Sequence, residues 1–547
     1  MPFNKKNIAW WDQGGSGDSK QYASLEEALP YFDQPLYVLK DTKTSVYAVG
    51  GELRQDAGSE KDTLLPVVAF APVCSPELLG DRNFSNIHGL KYPCYAGSMA
   101  HGIASVELVE AMGKAGMMGF FGSAGLSLDA LEEIIKKLHN RMLGKPFGFN
   151  LINSPGNTAW ERGVVALFLQ HGIRLIEASA YILPTPALVK YRVTGLRQDA
   201  QGKIFAPNNI IAKVSRSEIA KRFLEPPPAR LLKKLLATGE ISKEEARLAA
   251  FIPLAQDITA EADSGGHTDH RTALAVLPSI QRVRDEIQSK HDYALLPRIG
   301  LAGGIGTPQA AAAAFAMGAA YIVTGSINQA CVESGTSQRV REMLAQALQT
   351  DVARAPAADM FEMGVTVQVL KRGTRFAERA SKLYDLFKKY ESVDAIPEEE
   401  RQKIESTIFK SSFDEIWEKT TSFFTKNNPE QLEKAAKNPK HKLALICRWY
   451  LGSAVQWATS GEEERKSDFQ VWCGPAMGAF NDWTRGSYLE EPANRKVAVV
   501  ALQMLHSATL LLRIQALRMQ GVDIPTDIIC KMGQPDFSGS INPENNQ

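Results

Sequence analysis

The sequence predicts an α/β chain built around a (β/α)8 barrel, and three observations predict it. Short apolar runs alternate with longer helix-spaced segments between about residues 93 and 326, and eight such runs can be counted. Several runs end in glycine, serine or a polar side chain, as barrel strands do where their loops carry function. The last two runs are joined by LAGGIGTPQAAAAAFAMGAAYIVTGS, residues 301–326, which reads as strand end, glycine loop, alanine-rich helix, strand and glycine turn. In that stretch Ala302, Gly303 and Gly304 bring backbone N–H groups together with little side chain in the way. Thr307 is a good N-cap and Pro308 a good first helical residue, so the loop opens on a positive helix end. Gly325 and Ser326 supply a second close-approach turn beside it, and a phosphate is the natural guest of the pair. The competing reading is an ordinary βαβ unit whose glycines only make tight turns.

Taken in order, residues 1–85 read as an N-terminal appendage with a short hairpin, Leu36 to Leu39 and Ser45 to Val49. Residues 86–375 read as the barrel. Its first strand is placed at Pro93 to Met99, ending in Gly97, Ser98 and Met99, where a flat ring can lie against backbone. The second, Met118 to Phe121, ends in Gly122 and Ser123, and Leu128, Leu131, Ile135 and Leu138 then recur at helical spacing as core. The third, Phe147 to Leu151, carries Asn150, and the fourth is Gly172 to Ala178. The fifth, Ile210 to Val214, carries Lys213, a cation in an apolar strand that calls for an anionic or electron-rich partner unless it snorkels to the surface. A helical insertion at about 217–250 includes the capping box Ser242/Glu245 and is either a lid or an enlarged crossover, the second being preferred. The sixth strand, Asp257 to Ala262, leads into the richest polar cluster of the chain, Asp263 to Arg271, with Gly265, Gly266 and His267 at its centre. Residues 376–547 read as all-helical, interrupted by WCGPAMGAFN at 472–481, a structural loop or a binding loop, and ending in a disordered tail.

Composition bounds the function. The chain has 547 residues, 44% apolar and 22% charged, enough for two or three folding units with a large core. A net charge of +1 argues against a nucleic-acid partner. The N-terminus lacks a signal-peptide core and no uninterrupted membrane-length apolar run stands out, so a cytoplasmic protein without a membrane partner is expected. The six cysteines are dispersed without a C-x-x-C pair, so neither a metal site nor a disulfide framework is expected. The motifs G-x-x-x-x-G-K-[ST], G-x-G-x-x-G and G-x-S-x-G are absent, which removes the usual signals for nucleotide triphosphatases, Rossmann dehydrogenases and serine hydrolases.

AGGI followed by VTGS resembles the flavin-phosphate loops of the FMN barrel family that includes nitronate monooxygenases and flavin-type enoyl-acyl-carrier-protein reductases. The segments GSMAHGIAS, IIAKVSRSEIA, DITAEADSGGHTDHR, APAADMFEMGVTVQVLKRGT and WCGPAMGAFNDW resemble more closely the PfaD-type trans-acting enoyl reductases of polyunsaturated fatty acid and polyketide synthases. That resemblance implies FMN, NADPH as reductant and an enoyl thioester on the acyl carrier protein of a synthase. It implies His267 near flavin and substrate as proton donor or orienting group, and the helical region over the barrel mouth as the receiver of the acyl chain. Two alternatives stand beside it, a nitronate monooxygenase-like flavin oxidase and a non-catalytic barrel that docks on a synthase. A homodimer is left open, and Asp269 and His270 are equally read as loop residues or catalytic ones.

Overall fold

The apolar runs do form a closed barrel of eight parallel strands in a computed structural model that describes residues 8–13, 19–40, 45–56, 64–532 and 535. The staves are β1 Cys94–Ala96, β2 Met118–Phe121, β3 Gly148–Ile152, β4 Leu175–Ser179, β5 Asn209–Val214, β6 Asp257–Glu261, β7 Arg298–Ala302 and β8 Ile322–Thr324. The ring closes through β8 and β1, with Val323 opposite Tyr95. Each stave is buried on both faces, which is why it reads in sequence as an almost continuous apolar run.

Alternate residues point into the barrel and build a packed, partly polar column. At the N-terminal end Asp257 accepts from Arg298 Nε and Nη2 at 2.5 and 2.8 Å and meets His88 at 2.9 Å. Burial raises the Asp257 carboxyl, but Arg298 and His88 outweigh it and hold the group down at about 2. One layer higher, Thr259 Oγ1 lies 2.9 Å from the Tyr95 hydroxyl and 3.0 Å from that of Tyr321. Gly300 makes room for the Tyr321 ring and Gly148 for that of Phe120, since a Cβ at either would overlap its ring. Gly300→Val should therefore destabilise the fold by about 3 kcal/mol, the upper range for overpacking a core. Denaturant unfolding checks this, and an unchanged midpoint would mean that Tyr321 yields freely.

Helices surround the staves, but the eighth place in the outer ring is filled from far away in sequence. Directly after β8 comes the short turn Ser326–Gln329, and Val497–Met519 packs instead against Pro308–Ala316 and Val106–Lys114. Its first half joins the barrel core through Val500, Leu502, Met504 and Leu505, and its second half carries Ile514 and Leu517 into a core with Leu36, Val38 and Ala71. A helix sandwiched between two partners is apolar all round. The expectation of no uninterrupted membrane-length apolar run leaves this helix out: Val497–Met519, though broken by Gln503, His506 and Arg513, has the length and mean composition to cross a membrane, with 72% of that window buried inside the fold. A boundary at residue 376 thus divides in sequence what packs together in space.

The N-terminal region is larger than a hairpin. Leu36–Lys40 and Ser45–Val49 pair as expected, but four further strands, Ala9–Asp12, Lys20–Tyr22, Glu52–Arg54 and Leu65–Ala71, complete a six-stranded antiparallel sheet. Most of these are too short to show a period of two. The sequence also assigns residues up to 375 to the barrel, whereas the staves end at Thr324. Beyond the helix Gln338–Ala345 lies a hairpin, β9 Val352–Pro356 and β10 Thr366–Leu370, whose second strand pairs with Gly266–His267 above the mouth. The helical region that follows has its own core, with Phe376, Leu383, Phe409, Ile416, Tyr450 and Leu451 buried together. The insertion at 217–250 forms Ser217–Leu224, Ala229–Ala237 and Lys243–Leu248, with the Ser242/Glu245 capping box formed. The expected disordered tail lies outside the described residues.

Candidate active site

The C-terminal ends of β1, β5, β6, β7 and β8 open into one cleft, roofed by the 472–476 loop. Ten of the candidate residues line it: Gly97, Ser98, Met99, Lys213, Gly265, Ala302, Gly303, Gly304, Gly325 and Ser326. Gly303 and Gly304 have φ of +85° and +76°, conformations that glycine adopts without strain. A Cβ on Gly303 would lie 2.5 Å from the Ala262 carbonyl oxygen, so this loop needs glycine on steric grounds as well. Gly304 and Gly325 differ in that a Cβ on either would meet nothing within 4 Å, and both face open cleft. Their amide hydrogens find no acceptor among the described residues. Ser264, also in the lining, has a buried hydroxyl without a partner. Thr307 caps the following helix by accepting from Ala310 N at 3.2 Å. Unused donors, open space in front of glycine and a nearby helix N-terminus fit the phosphate end of a flavin mononucleotide.

The cleft floor is charged. Lys213 Nζ sits 3.0 Å from Glu261 Oε1, with both side chains largely buried. Burial works against the ammonium, but Glu261 and Glu177 outweigh it and raise the Lys213 pKa, so this lysine stays cationic rather than snorkelling. Glu177, fully buried on β4, accepts from Ser98 N at 3.1 Å, from the Ser98 hydroxyl and from the Tyr95 hydroxyl at 3.2 Å. Sequence reading missed Glu261 and Glu177, although D-I-T-A-E on β6 alternates polar and apolar residues with the period that would have flagged Glu261.

Five candidates are not in the lining. Gly122 packs beneath the first loop, where a Cβ would overlap the Met99 carbonyl, and Ser123 is fully buried beside it with its hydroxyl unpartnered. Asn150 braces β4 by donating to Glu177 O at 3.1 Å and Ser179 Oγ at 2.9 Å. Gly266, at φ +81°, serves the pairing with Gln368. His267 stands beside the cleft, one residue further on, with Nε2 3.1 Å from Asp359 Oδ1. Burial lowers its pKa, but the Asp359 hydrogen bond and charge reverse the balance and leave it raised. Asp269 is held by Arg216 at 2.8 Å through both oxygens and by Ser215, chiefly the arginine bringing its carboxyl to about 2. His270 Nδ1 meets Asp263 Oδ1 at 2.9 Å.

The 472–476 loop proves to be part of the site. Trp472, Gly474 and Ala476 line the cleft, Gly474 N donates to Ser326 Oγ at 3.0 Å, and Gly265 can approach Cys473 only because it lacks a Cβ. Trp472 also stacks on His101, with ring centroids 6.0 Å apart. Nothing in the sequence ties residue 472 to residue 326, so sequence reading left this loop open.

An eight-stranded parallel barrel with paired glycine loops at β7 and β8 defines the class, and residues 82–165 match the nitronate monooxygenase family model. Residues 390–469 match the model of the inserted helical domain of [acyl-carrier-protein] S-malonyltransferase. The crystal structure of the enoyl reductase domain of MlnA from the macrolactin biosynthesis cluster of Bacillus amyloliquefaciens superimposes with a TM-score of 0.77 at 41% identity, covering 82% of this chain and 100% of that one. The chain belongs to the PfaD-type enoyl reductases of polyunsaturated fatty acid and polyketide synthases. A polyunsaturated fatty acid synthase subunit of Thraustochytrium sp. is 43% identical over 96% of this chain, and polyketide biosynthesis protein PksE of Bacillus subtilis is 43% identical over 80%. The chain spans 35% and 57% of the lengths of these two relatives.

Proposed function

We propose that this chain is an enoyl-acyl-carrier-protein reductase of polyunsaturated fatty acid or polyketide biosynthesis, working with a cytoplasmic synthase. The substrate is an α,β-enoyl thioester on an acyl carrier protein, the cofactor FMN and the reductant NADPH. The observation that carries this reading is the single cleft in which the glycine loops of β7 and β8 face the Lys213/Glu261 pair, with His267 at its edge. Gly303, Gly304, Gly325 and Ser326 would hold the phosphate, and Gly97, Ser98 and Met99 would lie along the ring. A bound flavin would supply the hydride for the β-carbon, drawn from NADPH. Lys213 would keep a positive charge at the site of the ring, and His267 would supply the proton for the α-carbon. Gly122, Ser123, Asn150 and Gly266 act as support for the loops that touch the cofactor.

The helical region is proposed to receive the acyl chain and its carrier. It reaches across the mouth, where Asn428 Nδ2 donates to Gly156 O at 2.9 Å and Trp472 forms part of the roof. The match of residues 390–469 to an insert of an acyl-carrier-protein acyltransferase supports a carrier-facing role. An enoyl chain on its carrier protein should accordingly be reduced with a higher kcat/KM than the same chain on a short thiol mimic, because remote contacts help position the alkene. Anaerobic NADPH oxidation with both substrates at matched chain length is the test. Equal values would remove carrier recognition, and no NADPH oxidation with either would remove the reductase reading.

A further inference from the structure

We propose that Asp359, supplied by the mouth hairpin, is a positioning residue for His267, binding the imidazole through Nε2 and leaving Nδ1 as the nitrogen that exchanges protons at the edge of the cleft. This inference rests on the reading of His267 as part of the active site. The two residues lie 92 positions apart and are brought together by one element. β10 pairs with the backbone of Gly266 and His267, and the loop leading into β10 carries Asp359. That loop is clamped from behind by the helical region. Phe361 is buried against Tyr384 and Phe387, Ala357 N donates to Val365 O at 2.9 Å, and Gly364 turns at φ +70° beneath Tyr384. Glu362 is held by His441 Nδ1 at 2.6 Å and faces Arg448 at 3.9 Å. Both the ring and its carboxylate therefore sit on braced backbone, as a preorganised pair requires.

The chemistry follows from which nitrogen is taken. A carboxylate accepts only, so Nε2 carries a hydrogen toward Asp359 in both protonation states, and Nδ1 alone alternates between N–H and lone pair. Among the described residues Nδ1 has no hydrogen-bond partner. The charged groups around the pair are Asp359 and Glu261, which favour the imidazolium, and Lys213, which opposes it, with Arg448, Glu362 and His441 behind the carboxylate. The hydrogen bond and paired charges raise the His267 pKa and lower that of Asp359, while both side chains keep a solvent-facing side, 36% and 45% exposed. The attraction is thus complete above the ordinary aspartate range and below the ordinary histidine value, roughly pH 4 to 6.5. It is lost as pH rises through the raised histidine value or falls through the lowered aspartate one.

The test uses full-length protein labelled with ¹⁵N-histidine, with His267 assigned through His267→Gln. Two-bond proton–nitrogen spectra should show the neutral ring as the Nε2–H tautomer and a titration midpoint above that of an ordinary histidine. Asp359→Asn should lower that midpoint, and Asp359→Glu should restore it. Under the proposed reaction, Asp359→Asn should lower kcat about 10- to 100-fold, as loss of an orienting carboxylate behind a functional histidine does, move the pH profile to lower pH and leave KM nearly unchanged. An Nδ1–H tautomer in the wild-type protein, which needs no variant to fold, would overturn the proposal. So would a midpoint that stays put in Asp359→Asn. A wild-type protein with the stated tautomer and midpoint but no reductase activity would sustain the pair and defeat the reductase reading instead.

Discussion

Gly325→Asp is expected to leave the barrel folded and to empty it of flavin. Gly325 has φ −135° and ψ −80°, and nothing lies within 4 Å of an added Cβ, so the substitution adds a carboxylate to the cleft without a clash against neighbouring residues. Gly303→Asp is a poorer probe, because φ +85° and the Ala262 carbonyl 2.5 Å from an added Cβ would disturb the β7 loop itself. Two like charges about 4 Å apart at an effective dielectric of about 20 repel by roughly 4 kcal/mol. That is about a thousandfold in affinity for a phosphate-bearing cofactor. Gly325→Ala, which lacks the charge, should retain most of the cofactor. The measurement is the visible absorption of each purified protein beside its thermal midpoint. A yellow Gly325→Asp variant with full occupancy would show that the phosphate is not held at β8, and an equally empty Gly325→Ala would make the effect one of shape rather than charge.

The barrel was legible because its staves are buried on both faces. All eight runs read from the sequence overlap observed strands, and Met118–Phe121 coincides with its expected bounds. The glycine loops were legible for a related reason, since AGGI and VTGS place small residues where strands end and leave few other uses for them. What stayed hidden depends on distance in sequence. Glu177 acts through Ser98 and Tyr95, and Asp359 through His267, contacts that only barrel closure and the mouth hairpin create. Val497–Met519 was legible as a helix but not as the eighth helix of the ring, because its two apolar faces carry no sign of which partner each one meets. The hairpin β9–β10 reads as barrel because a linear sequence gives no reason to end a barrel at residue 324.

His267→Ala is expected to keep its flavin and to lose enoyl reduction by about 10² to 10⁴-fold, the range that a positioned general acid contributes. The competing donors at the cleft are Lys213 and water. Lys213 is a weak acid here, since Glu261 and Glu177 hold its proton more tightly than in an ordinary lysine. His267 is better matched, because the Asp359 hydrogen bond and charge raise it from an ordinary histidine value and so keep the imidazolium available as a donor. His267 is outside the cleft lining that holds the glycine loops and its ring bonds to Asp359, so flavin content should stay at the wild-type level. Loss should fall on kcat with carrier-bound enoyl substrate, and KM should change little if the acyl chain is held by the helical region. The pH profile is the sharper readout: wild-type kcat should decline as pH rises through the raised His267 pKa, and this limb should vanish in His267→Ala. A loss below tenfold with the limb retained would assign the proton to water or Lys213 and reduce His267 to holding the alkene in place, and wild-type rates would remove it from the reaction.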